Sequence, residues 1–224
     1  RVVLNLLEGM TAQNLDLDLV LAAAEGPYMD RVPTTVNVVD LKAGRIVNSI
    51  LPLIRYLRTN KPRVLISHLN HANVIALIAS YLSRTSTPIV VVAHNTLSVA
   101  RVTQLRGNLV KPIMKWLYPS ANAVATVSMA AARDMELELG LPRNSVHTIY
   151  NPIVDHRLFA QAQELTEEKW LQPNSPPVYL SIGRLTEQKD FANLLRSFAL
   201  VKQRLDARLI ILGEGELRQD LTAL

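Results

Sequence analysis

The chain has 224 residues, 49% of them apolar, and a formal net charge of +5. It is long and apolar enough to bury one large core or two modest ones, which excludes a disordered chain. It contains no cysteine, which excludes a disulfide framework, a thiolate nucleophile and a Cys-bound metal centre. The opening RVVLNLLEGM carries no secretory pattern and no stretch is apolar for long enough to span a bilayer, so a cytoplasmic location is expected.

Val2, Val3, Leu6, Leu7 and Met10 recur at helical spacing and predict a helix over 1–13. Residues 16–24 alternate and then become wholly apolar, a strand pattern, and Val36 to Val39 read as a second strand. Ile46, Ile50, Leu53, Ile54 and Leu57 form a helical stripe with Pro52 near a bend, and Pro62 stops it. Val64 to Ser67 is a third strand. Asn73 to Leu82 is a helix with Val74, Leu77, Ile78 and Tyr81 on its apolar side. Ile89 to Ala93, IVVVA, is a buried strand of the kind parallel sheets use.

Residues 102–118 read as helical, Ala121 to Val127 as a strand, and Ala130 to Leu139 as a helix stopped by Gly140 and Pro142. Val146 to Tyr150 is a strand ended by Asn151-Pro152. The repeated strand–helix order makes 1–152 an α/β domain with a mostly parallel sheet and helices on both faces. The rhythm breaks over 153–176, which holds a short helical candidate capped by Thr166 and then PNSPP. That segment reads as an interdomain crossing, and 177–224 as the start of a second domain. There, Val178 to Ile182 is a strand. Phe191, Leu194, Leu195, Phe198, Val201 and Leu205 stripe a helix, Ala207 to Leu212 is a second strand, and ELRQDLTAL is helix-like. Two strands cannot close a doubly wound core, and the chain opens directly into a helix. The natural polypeptide is therefore expected to extend at both ends.

The second domain carries the most suggestive stretch, VYLSIGRLTEQK. A strand turns at Gly183, presents Arg184 and Lys189 five positions apart, and leads to a helix start at Lys189. Free N–H groups, the helix dipole and two cations suit a phosphate; a βα connection with two solvated cations is the plainer alternative. Gly213-Glu214-Gly215 ends the next strand, where glycines allow close backbone approach to a ligand.

In the first domain His94, followed by Asn95, ends the IVVVA strand, where open α/β sheets place ligands. It suits acid–base work or a hydrogen bond to a substrate hydroxyl, or it pins its own loop. His68 and His71 flank another strand end. No carboxylate completes a metal motif with these three histidines, and whole elements separate them, so no metal site is expected. Ser128 either caps the following helix or touches a ligand. Arg101, Arg106, Lys111 and Lys115 make a basic patch without an intervening acid. It fits a peripheral membrane contact through 101–118 or a solvated face, and too few aromatics interleave with it to suggest nucleic acid.

Together, RVVLNLLEG, VVVAHNT, AVATVS, IYNPIVD, SIGRLTEQKD and LIILGEGELRQDL resemble the retaining GT-B glycosyltransferases of family 4, the group 1 type, across essentially the whole chain. That branch includes many bacterial enzymes that build polysaccharides and glycolipids. The resemblance implies two Rossmann-like domains facing across a cleft, the first binding the acceptor and the second a nucleotide-sugar donor. It implies that Gly183, Arg184 and Lys189 hold the donor diphosphate and that Gly213, Glu214 and Gly215 lie near the nucleotide. His94 would contact the transferred sugar, and Asn95, Ser128 and Asn151 would line the acceptor side. It implies a saccharide or lipid-linked saccharide acceptor, no nucleic acid partner, no metal or other cofactor, and work at the inner face of the membrane. The family's glycine-rich first loop and its paired glutamates have no counterpart here, so the displayed chain by itself is expected to be inactive. The competing classes are a non-catalytic nucleotide-sugar-binding protein with a degenerate transferase fold and a GT-B sugar-nucleotide epimerase. A nicotinamide dehydrogenase lacks its GxGxxG motif.

Overall fold

The structure is a computed structural model that describes residues 2–98, 107–154, 156–164, 166, 168–172 and 174–224. It divides into two compact units, 1–155 and 156–224.

In the first unit, strands β3 (Leu65–His68), β4 (Ile89–Ala93), β5 (Ala123–Thr126) and β6 (Val146–Thr148) form a parallel sheet in sequential order. Strands β1 (Asp18–Leu21) and β2 (Asn37–Asp40) form a separate parallel pair. The helices are α1 (Val2–Thr11), α2 (Ile50–Asn60), α3 (Asn70–Ser83), α4 (Gly107–Leu117) and α5 (Met129–Leu139). Four of the five residues of β4 are buried, as its unbroken apolar run requires of a central parallel strand. One core packs β4, Val124 and Val146 against Val74, Leu77, Met114, Met135 and Leu139. A second packs Leu53, Ile54 and Leu57 of α2 on Ile75, Ala76 and Ala79 of α3.

Helix α3 thus serves both cores, and this corrects the single apolar stripe read from its sequence. Ile75, Ala76 and Ala79 are buried as well as Val74 and Leu77, while Tyr81 is 80% exposed. Asn73, fully buried on α3, donates from Nδ2 to the Val92 carbonyl and to the Tyr118 hydroxyl, both at 3.0 Å. This ties α3 to the carboxyl end of β4. Burial pushes the Tyr118 phenol up to about 12, so the group that receives the bond stays a neutral hydroxyl.

Local chemistry sets the helix ends. Pro52 lies in the first turn of α2, where its missing N–H costs nothing, just after a 3₁₀ turn at Ile46–Ser49. Ser128 caps α5: its Oγ accepts from Ala131 N at 3.2 Å. Gly140 closes that helix at φ 67°, a conformation glycine takes without strain.

In the second unit, β7 (Val178–Ile182) and β8 (Arg208–Leu212) pair in parallel, Val178 against Arg208 and Ile182 against Leu212. Helices α6 (His156–Ala162), α7 (Phe191–Lys202) and α8 (Arg218–Thr222) accompany them. Leu180, Ile182 and Leu212 are more than half exposed. Helix α6 falls inside the stretch read as an irregular crossing. The short helical candidate read over Thr166 to Trp170 with Thr166 as its cap is instead a 3₁₀ turn at Lys169–Leu171, capped by Glu168, whose carboxylate accepts from Trp170 N.

Candidate functional site

In the first unit the candidate residues gather at the carboxyl ends of the parallel strands. His68 is the last residue of β3, His94 follows β4, Ser128 follows β5 and Asn151 follows β6. Parallel pairing places all these ends on one edge of the sheet, the edge where open α/β sheets hold ligands. Asn95 is exposed, and Asn151 is partly buried.

The sequence reading kept the histidines apart; the fold joins two of them. His68 pairs in register with Val92, so a ring on His94, two residues further on, reaches back to it. His68 Nδ1 and His94 Nε2 are 3.0 Å apart. One nitrogen donates and the other accepts, so the contact needs at least one neutral ring. Burial and then the His94 ring bring the His68 imidazole down to about 4, and burial also lowers His94. Both rings are therefore neutral near pH 7, able to donate and accept hydrogen bonds rather than to act as cations. His71 is exposed and takes no part in this pair. Among the described residues no group of three or more His, Cys, Asp or Glu side chains could hold a metal ion.

Asp134, which the sequence reading did not single out, holds the loop after His94. Its Oδ2 accepts from Leu97 N at 2.6 Å and from Ser98 N at 3.2 Å. Ser128 has a structural duty, since its oxygen caps α5; its hydroxyl proton is still available for a ligand.

In the second unit, the β7 and β8 pairing continues past the strand ends. Gly183 N donates to Leu212 O at 3.0 Å, Leu185 N to Glu214 O at 2.9 Å, and Leu217 N to Leu185 O at 3.1 Å. This gives Gly213 and Gly215 a different reason from the one their sequence suggested. A Cβ on Gly213 would lie 1.8 Å from the Gly183 carbonyl oxygen, and one on Gly215 would lie 2.3 Å from that of Leu185. The backbone that approaches them closely is the protein's own. The two glycines let the 213–215 loop lock the 183–185 loop in place.

Arg184 projects from this locked loop and Lys189 follows it four residues after Leu185, and both are exposed. A Cβ on Gly183 would meet Lys189 Cδ at 3.8 Å, so the lysine stem lies alongside the glycine. Among the described residues, neither cation has an ion-pair partner. The helix start, however, lies elsewhere than expected. Lys189 ends a 3₁₀ turn, Glu187–Lys189, and Asp190 at φ 49° is the cap of α7, accepting from Asn193 N through Oδ1 at 3.4 Å. An acid already sits over that helix terminus, which leaves the Arg184 and Lys189 side chains as the exposed positive groups of this segment. Glu214 forms an ion pair with Arg218 one helical turn on, and its carbonyl serves the loop lock.

The basic patch is also modified. Lys111 is ion-paired with Glu138, and Lys115 runs along Gly140, so both lie against α5. Arg101 and Arg106 lie outside the described residues. Ile113 and Trp116 of α4 are 43% and 79% exposed. No helix among the described residues is long and apolar enough to cross a membrane.

The model of Glycosyltransferase Family 4 matches residues 1–157, and that of Glycosyl transferases group 1 matches 162–224. The chain belongs to glycosyltransferase family 4. It is 31% identical over 159 residues, 70% of its length and 40% of the relative's, to the Campylobacter jejuni N-acetylgalactosamine-N,N'-diacetylbacillosaminyl-diphospho-undecaprenol 4-alpha-N-acetylgalactosaminyltransferase. The chain spans less than half the length of the curated relatives it matches. Two solved structures share the fold over 99% of the chain. The Anabaena protein HepE in complex with UDP gives a TM-score of 0.67 at 16% identity over 59% of its chain. A lipopolysaccharide outer core galactosyltransferase, WaaB, gives 0.64 at 14% identity over 58%. Both units are thus the parallel α/β domains of the GT-B architecture, and His94, Arg184 and Lys189 are positions in a family 4 chain.

Proposed function

We propose that the polypeptide carrying this chain is a retaining hexosyltransferase. It moves a sugar from a nucleotide-diphosphate donor to a hydroxyl of a saccharide, and the acceptor is lipid-linked. The observation that carries the reading is the locked loop. Gly183 to Leu185 is fixed to Leu212, Glu214 and Leu217 by backbone bonds; it presents Arg184, the Lys189 stem lies alongside Gly183, and neither cation has an ion-pair partner among the described residues. Membership of family 4 supports transfer chemistry. The Campylobacter relative's name specifies a diphospho-undecaprenol-linked acceptor, which supports the lipid-linked assignment.

Breaking the bond from the anomeric carbon to the diphosphate leaves negative charge on the departing oxygens and an oxocarbenium-like sugar. Arg184 and Lys189 stabilise those oxygens more as the charge grows, which lowers the barrier rather than merely tightening binding. The two cations take the charge-neutralising role that a divalent ion has in other sugar transferases. His94, neutral, hydrogen-bonds a sugar hydroxyl, and Asn95, Ser128 and Asn151 offer polar contacts to the acceptor. The acceptor hydroxyl attacks the anomeric carbon from the leaving-group side as the bond to the diphosphate breaks, and its proton passes to the departing phosphate oxygen, giving retention. Work at the inner face of the membrane fits a lipid-linked acceptor, with exposed Trp116 and Ile113 of α4 as the contact.

The test is a thermal-shift and turnover screen of the polypeptide with UDP-, GDP- and ADP-sugars and a lipid-linked saccharide. One donor class is expected to raise the melting temperature and support transfer with the anomeric configuration kept. No stabilisation by any donor, or an inverted product, overturns the reading. Liposome sedimentation tests the membrane contact: Trp116→Ala is expected to lower binding to anionic vesicles, and unchanged binding removes that contact.

A further inference from the structure

We propose that His68 is a positioning residue for His94: it occupies Nε2 of the His94 ring, holds that ring in one neutral tautomer, and leaves Nδ1 as the nitrogen offered to a ligand. The inference rests on the reading of His94 as a sugar-contacting group.

Three observations converge on it. First, His68 Nδ1 and His94 Nε2 stand 3.0 Å apart, hydrogen-bonding distance, on neighbouring parallel strand ends. Two like cations would not be held so close, and a bond between neutral rings requires one donor and one acceptor. Second, the backbone on either side is fastened. The Val92 carbonyl, two residues before His94, receives Leu69 N at 3.3 Å and Asn73 Nδ2 at 3.0 Å. The residue after His68 is therefore latched to the strand that carries His94. Third, Leu69 takes φ 77° and ψ 137°, a conformation a branched side chain avoids. Strain of this kind persists only where the surroundings enforce it, and it collects at functional sites. A histidine with no task but solvation needs neither the latch nor the strained neighbour.

The consequence is directional. With Nε2 engaged, only Nδ1 of His94 can meet a hydroxyl, and its character as donor or acceptor is set by which ring gives the proton to the shared bond. Losing His68 would let the His94 ring rotate and exchange tautomers.

The experiment compares His68→Leu with His68→Asn in the whole polypeptide. The asparagine amide places a polar atom two bonds beyond Cβ, where Nδ1 stands in histidine, so it can restore the contact. Nitrogen-15 imidazole spectra near neutral pH are expected to show one His94 tautomer in the wild type, a mixture in His68→Leu, and one again in His68→Asn. Turnover is expected to fall about tenfold or more in His68→Leu, within the range of orienting partners of functional histidines, with the donor KM little changed and activity recovered in the asparagine variant. A His94 spectrum and kcat in His68→Leu identical to wild type overturn the proposal. A wild-type protein that transfers no sugar defeats the functional reading instead, and the tautomer spectra still decide the role of His68.

Discussion

At the residue scale, the glycines are the clearest case of two explanations separated by geometry. Gly213 and Gly215 were legible as a strand-end signal, but the sequence could not show what approaches them. Register decides that, and register brings the carbonyl oxygens of Gly183 and Leu185 to 1.8 Å and 2.3 Å from the positions a Cβ would take. Gly215→Ala is therefore expected to destabilise the second unit by about 2 kcal/mol or more, because backbone rather than a flexible side chain must move. Gly9, inside α1 with nothing within 4 Å, is the control. There Ala is expected to stabilise by roughly 0.5–1 kcal/mol, since glycine is a poor helix residue. Urea unfolding of both variants measures the contrast, and equal effects would contradict it. The contact of His68 with His94 escaped the sequence reading for a related reason: the pairing of β3 with β4 brings together rings that are 26 residues apart. It carries a pH signature. Burial and His94 lower the folded His68 to about 4 from an ordinary 6.5. As pH drops below 6.5, the unfolded chain takes up a proton that the folded ring refuses. Stability is thus fully present above 6.5 and declines toward pH 4, by at most about 1.4 kcal/mol per pH unit from this group. His68→Asn is expected to flatten that part of the urea-midpoint profile; an unchanged slope would show that His68 titrates normally in the fold.

At the element scale, most strands were readable because parallel strands buried on both faces are short unbroken apolar runs, as in Ile89–Ala93. Helix faces were less so. A single stripe predicts one buried side, whereas α3 packs into two cores and leaves Tyr81 out. Helix α6 went unread because its seven residues offer no sustained stripe. Asn73 was taken for the start of α3 and is instead its buried anchor to β4. Asn73→Leu is expected to cost roughly 1–3 kcal/mol, since the Tyr118 hydroxyl loses a partner in a buried site. Loss of less than a few tenths in a denaturation experiment would mean that the anchor contributes nothing. At the next helix, Ser128→Ala should cost about 1 kcal/mol through the lost cap. The acceptor KM of this variant is expected to rise as well, because the hydroxyl also contacts the acceptor; an unchanged KM would limit the residue to capping.

At the scale of the whole molecule, family 4 membership and the GT-B fold account for the order of the elements: a sequential parallel sheet first, then the β7–β8 pair with its locked loop. The fold was legible from the alternation of strands and helices. The surroundings of the two cations were legible only in part. Arg184 and Lys189 stand out as cations after a strand and a glycine, but the helix terminus expected to help them is capped by Asp190, so the side chains carry the charge. The central claim is that these two cations hold the donor diphosphate. The direct measurement is calorimetric titration of the donor nucleotide diphosphate into the wild-type polypeptide and the Arg184→Ala, Lys189→Ala and double variants. Each single change is expected to weaken binding by roughly tenfold or more, as charge-assisted phosphate contacts are worth about 1.5–3 kcal/mol, with the double variant weaker still. Wild-type affinity in the double variant would contradict the account.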